Sequence, residues 1–115
     1  MFEGFFTKLY SHNPEIRLVG IWGKDGLGLE ETRFGEVGVD LELIGAEMAD
    51  IVSKISRARF TPKSYSMKLK VNESLLDVYE LTREFFLIVV STEDIIPGKL
   101  NFYVNRYKTE LISKL

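Results

Sequence analysis

The chain has 115 residues, 45% of them hydrophobic and 28% charged, and its 15 basic and 17 acidic residues leave a formal net charge of −2. This length predicts one domain, 1–115, with a core large enough to need no metal or disulfide, and so apolar a composition is not that of a disordered chain. The absence of cysteine excludes disulfide scaffolds and thiol catalysis, the single His12 excludes a histidine-rich metal site, and the balanced charge speaks against nucleic acid.

Phe2, Phe5, Phe6, Leu9 and Tyr10 recur at i, i+3, i+4, i+7 and i+8, which places them on one face of a short helix that Pro14 ends. Ile16 to Trp22 reads as a strand covered on both faces, because both alternating sets are mostly apolar or small. Asp25-Gly26 then predicts a hairpin with a type I′ turn, whose two central residues take positive φ. The more polar return strand, Leu27 to Phe34, is expected at an edge. Gly35 to Gly38 is a loop, and Asp40 is placed to cap a helix over Leu41 to Ile55, where Leu41, Ile44, Met48, Ile51, Val52 and Ile55 keep helical spacing.

Ser56 to Lys63, with Pro62, closes that helix. From Ser64 to Val71 the period becomes two: Tyr65, Met67, Leu69 and Val71 alternate with Ser66, Lys68 and Lys70, as in a half-exposed strand. Asn72-Glu73-Ser74 turns the chain into a strand over Leu75 to Leu81. Arg83-Glu84 turns it again into Phe85 to Val90, an apolar run expected at the centre of the sheet. Pro97 then starts a last helix carrying Leu100, Val104, Tyr107 and Leu111 on one face. The expected fold is α+β: a single five-stranded antiparallel sheet with helices on both faces, in the order helix-strand-strand-helix-strand-strand-strand-helix.

No motif in this pattern carries catalytic chemistry, so the chain is read as a non-enzyme with no cofactor or metal. Gly23, Gly26 and Gly28 with Lys24 fit neither nucleotide-binding spacing, and a hairpin turn accounts for them. The carboxylate pairs Glu30-Glu31 and Glu93-Asp94 fall in segments expected to be solvated. His12 ends a helix, where exposure or a contact with the helix dipole is the simpler role. No apolar run approaches the roughly 18 residues of a membrane span, and no basic leader is recognisable, so a cytoplasmic protein is expected.

Two features point to association. The strand from Ser64 to Val71 begins a meander and so lies at an edge; its apolar face invites another chain, while Lys68 and Lys70 equally suit a strand that repels one. In the long helix, Gly45, Ala49, Val52 and Ser56 form a ridge of small residues that lets another element approach closely. That element is either the chain's own sheet or a symmetry-related helix in a dimer.

The combined pattern resembles the roadblock/dynein light chain family, of the bacterial or archaeal type that regulates small GTPases. The resemblance rests on Leu18 through Leu27 with the Asp-Gly turn, Leu43-Ile44-Gly45-Ala46-Glu47-Met48, Tyr79-Glu80-Leu81 followed by Phe85 to Val90, and Gly98-Lys99-Leu100. It implies a profilin-like domain that forms a homodimer, or a heterodimer with a paralogue, by joining third strands and second helices. The interface would then include Gly45, Ala49, Val52, Ser56, Tyr65, Ser66, Met67, Lys68 and Leu69. It further implies a non-enzymatic regulator or scaffold of a small Ras-like GTPase, with no nucleic acid or membrane among its partners. Arg57 and Arg59 are the candidate GTPase contacts. The alternatives on the same fold are a structural adaptor in a larger motor or signalling assembly, and a small-molecule sensor.

Overall fold

The computed structural model describes residues 1–58 and 65–115. Along the chain it contains α1 (Glu3–His12), β1 (Ile16–Gly23), β2 (Gly28–Arg33), α2 (Leu41–Ser56), β3 (Ser66–Val71), β4 (Ser74–Glu80), β5 (Phe85–Thr92) and α3 (Pro97–Ile112). The strands form one antiparallel sheet in the order β2-β1-β5-β4-β3. The two most apolar strands therefore lie side by side, and the polar β2 and the alternating β3 form the two edges. The expected start of β3 at Ser64 lies outside the described residues.

Because successive residues of a strand face opposite ways, the sheet supports two cores. Leu18, Trp22, Leu76, Val78, Phe86, Ile88 and Val90 pack with Leu41, Met48, Ala49 and Val52 of α2. On the other face, Val19, Ile21, Leu87 and Val89 meet Phe6 and Leu9 of α1 and Leu100, Val104 and Leu111 of α3. The helical spacings seen in the sequence thus mark the buried stripes, except at Ile51, which α2 leaves exposed.

The ends of the helices follow local chemistry. Asp40 caps α2 by accepting a hydrogen bond from the Leu43 N–H at 3.2 Å. At the end of α1, the Asn13 side chain donates back to the Leu9 carbonyl at 3.0 Å, and Pro97 occupies the first turn of α3.

The first hairpin departs from expectation in its turn. Only Gly26 takes a positive φ there, 89°, and Asp25 does not, so the turn is not type I′. The Gly26 N–H bonds to the Gly23 carbonyl and the Gly23 N–H to the Leu27 carbonyl. This is a three-residue loop closed by a left-handed glycine, the next most common hairpin geometry. Asp25 instead accepts a hydrogen bond from the Leu27 N–H, which an Asp in a negative-φ turn position does readily. In the β3–β4 hairpin, Asn72 is the residue with positive φ, 56°.

Candidate functional site

The sequence directs attention to α2 and the edge strand β3, and the structure places them on the same face of the sheet. Tyr65, Met67, Leu69 and Val71 project toward the α2 layer and are half-buried against it. Ser66, Lys68 and Lys70 project the other way. Lys68 Nζ lies 3.0 Å from Asp77 Oδ1, and Lys70 Nζ lies 2.7 Å from Glu93 Oε1. Both lysine charges are therefore met within the chain, on the face opposite α2.

The small-residue ridge faces the chain's own sheet. Val52 and Ala49 are buried, and Gly45 packs on Trp22: a Cβ at Gly45 would overlap the indole, 2.7 Å from its Cδ1. Gly45, Ala49 and Val52 thus serve close packing of α2 on its own sheet. Ser56 belongs to a polar cluster within the chain. The apolar side chains that α2 turns outward are Leu43, 60% exposed, and Ile51, 36% exposed. They lie eight positions apart, on roughly the same side of the helix.

The C-terminal end of α2 is fixed by that polar cluster. Lys24 Nζ donates to Glu80 Oε2 and to Ser56 Oγ, each at 2.9 Å, and Ser56 Oγ donates to the same Glu80 oxygen at 2.8 Å. Tyr65 OH donates to the Val52 carbonyl at 3.2 Å beside them. Burial pushes the Glu80 carboxyl up, but hydrogen bonds from Lys24 and Ser56, the Lys24 charge and Tyr65 outweigh it and hold the group below its ordinary value. The cluster joins the first hairpin, α2 and β4 around the start of the edge strand. Lys24 is thereby engaged with a carboxylate, in keeping with a hairpin and not a phosphate loop.

Asp77 is the second charge within the fold. It sits in the middle of β4, only 3% exposed, with Oδ1 on Lys68 and Oδ2 without a hydrogen-bond partner. Burial raises its carboxyl above the ordinary value, and Lys68 only partly opposes this. Burial, with the nearby Asp77 charge, also raises the Tyr79 phenol. Neither Asp77 nor Glu80 is among the candidate site residues read from the sequence, although an acid inside a run such as Leu75-Leu76-Asp77-Val78-Tyr79 is a visible irregularity.

Of the two candidate GTPase contacts, Arg57 is the C-cap residue of α2, exposed, with its N–H bonded to the Ser53 and Lys54 carbonyls. Arg59 lies outside the described residues. The remaining polar residues considered in the sequence do not converge. Glu30 and Glu31 point to opposite faces of β2, with Glu30 accepting from the Phe2 N–H at 2.7 Å. His12 stacks on Tyr103 with ring centres 3.9 Å apart. Among the described residues, no group of three or more His, Cys, Asp or Glu side chains is arranged to hold a metal. No described helix is long and apolar enough to cross a membrane.

The architecture recurs in solved structures. MglB, a gliding protein from Thermus thermophilus, is 13% identical over 96% of this chain and 85% of its own, with a TM-score of 0.80. A Roadblock/LC7 domain from Streptomyces avermitilis is 16% identical over 100% of this chain and 98% of its own, with a TM-score of 0.66. This chain has a roadblock/LC7 fold. The wider profilin-like class is represented by LokiProfilin2, solved in complex with rabbit actin, at 16% identity over 99% of this chain and 97% of its own and a TM-score of 0.64. One MglB structure has a tetrameric arrangement. No family model matches the sequence, and no curated protein does.

Proposed function

We propose that the protein is a dimeric, non-enzymatic regulator or scaffold that binds a small Ras-like GTPase and favours one of its nucleotide states. The observation that carries this reading is the α2–β3 face. On this fold, an edge strand with half-buried Met67 and Leu69 lies on the same face as a helix that leaves Leu43 and Ile51 in solvent. An exposed edge of this kind is a template for pairing with another strand, and its lysines carry no unmet charge against it.

Joining two β3 strands, residues Tyr65, Ser66, Met67, Lys68 and Leu69 of each, would extend the sheet across a two-fold axis. The contribution of α2 to that interface comes from Ile51 and Leu43, in place of the ridge at Gly45, Ala49, Val52 and Ser56. Such a surface, with Arg57 at its margin, regulates a GTPase by binding one conformation of it more tightly than the other, which requires no catalytic group.

The test is capture of partners from the source organism's lysate with either GDP or a non-hydrolysable GTP analogue added. Enrichment of a Ras-like GTPase in one nucleotide state is the expected result. A partner set indifferent to nucleotide and lacking a GTPase would make the protein an adaptor subunit instead.

A further inference from the structure

On the opposite side of α2 from β3, a groove of about 690 Å³ runs between β2 and the start of the helix. Its volume is within the range of ordinary ligand sites. Trp22 forms its floor, Gly28 and Glu31 of β2 one wall, and Leu41 and Glu42 of α2 the other, with Leu27 at the lip. The indole Nε1 sits between the two walls: a Cβ at Gly28 would lie 3.3 Å from it, and one at Gly45 would overlap it. Trp22 is 5% exposed, and among the described residues its N–H donates no hydrogen bond. The indole N–H is not sealed in the core, and it reaches solvent through the groove.

The lining has a definite charge. Glu31, Asp40 and Glu42 line it together with Arg33. Asp40 is engaged in capping α2, while Glu31 and Glu42 form no ion pair among the described residues. Leu27 stands 70% exposed at the rim. Since β2 pairs only with β1, its outer edge offers unpaired backbone groups along one side of the groove.

We propose that this groove binds an extended segment of a partner protein in which a basic residue adjoins an aliphatic one. The segment lies along β2 as an added strand. Its side chains on the α2 face reach over the groove, where an aliphatic one rests on Leu27 and Leu41 and a cation sits between Glu31 and Glu42. This site is separate from the α2–β3 face and does not depend on the GTPase reading.

Trp22 is the chain's only tryptophan, so the site carries its own reporter. A randomised nine-residue peptide library is selected on the immobilised protein, and the selected peptides are titrated while tryptophan emission is followed. The expected result is enrichment of Lys or Arg beside aliphatic residues, a shift of Trp22 emission on binding, and at least tenfold weaker binding to the E31Q/E42Q double variant. An R33A variant, by contrast, binds as tightly or more tightly. Both sets of substitutions are at exposed positions, and circular dichroism checks that the fold is retained. The proposal is overturned if no peptides are enriched, if those selected leave Trp22 emission unchanged, or if they bind the double variant equally. It is also overturned if emission shifts with protein concentration alone, which would make a second copy of the chain the occupant.

Discussion

The indole of Trp22 occupies the space in which Gly45 would carry a side chain. Gly20 and Gly28 complete the cradle: a Cβ at Gly20 would overlap the six-membered ring, and one at Gly28 would press on Nε1. A helical glycine costs about 1 kcal/mol against alanine, and here that cost is offset by close packing of α2 on a large aromatic ring.

Gly45→Ala is therefore expected to destabilise the protein despite its better helix propensity. Overpacking of a filled core costs about 1–3 kcal/mol, which exceeds the propensity gain, so a net loss of about 1 kcal/mol is expected in urea unfolding. Combining it with Trp22→Phe should cost less than the sum of the two single changes, because the smaller ring frees the space that the new methyl needs.

Asp77 gives a second prediction through its one-sided pairing. Removing it leaves Lys68 free to turn to solvent, so no buried charge is stranded. Asp77→Val places a good strand former among apolar neighbours and should stabilise the protein at pH 7 by about 1–2 kcal/mol, as replacement of buried ion pairs often does. The folded-state value of Asp77 is raised, so the wild type binds the proton more tightly when folded. Its stability contribution therefore declines as pH rises from about 3.8 through that raised value. The advantage of Asp77→Val should accordingly be smaller at acid pH than at neutral pH. Lys68→Ala, which removes the counter-charge, should be destabilising at pH 7. Thermal unfolding of the three proteins across this pH range checks the pattern.

Glu80 has the opposite sign. Its carboxyl is held below the ordinary value, so the stabilisation is present above about pH 4.5 and is lost as pH falls through the lower folded-state value. Lys24→Met should remove most of that acid-linked loss and lower stability at neutral pH by about 1.5–3 kcal/mol, the range for hydrogen bonds to charged groups. Because this cluster ties down the end of α2, amide exchange near Ser53 to Ser56 should accelerate in the same variant.

Much of the fold was legible in the sequence because its strongest signals are periodic. The stripe Phe2, Phe6 and Leu9, the alternation from Tyr65 to Val71, and the apolar run Phe85 to Val90 each fix an element and its buried side. The Asp40 cap and the Pro97 start were equally local. The turn at Gly23 to Gly26 was placed correctly but typed wrongly, since Asp-Gly suits both a two-residue and a three-residue loop, and the register of the flanking strands decides between them. The site was less legible. Gly45 could be recognised as a close-approach residue, but sequence spacing cannot say whether the approaching element is a partner helix or Trp22, 23 positions earlier. The cluster of Lys24, Ser56 and Glu80 joins three elements through contacts 24 to 56 residues apart, and no short-range pattern reports such a meeting.

Dimerisation through the α2–β3 face is the central claim, and the solution mass measured by light scattering tests it. The wild type should appear at twice the 13.2 kDa chain mass. Ile51→Glu, a change at an exposed helical position, should give a folded chain of single mass, and Met67→Pro should do the same by disrupting the β3 edge. A wild-type protein of single mass, or a dimer unchanged in both variants, would contradict the claim.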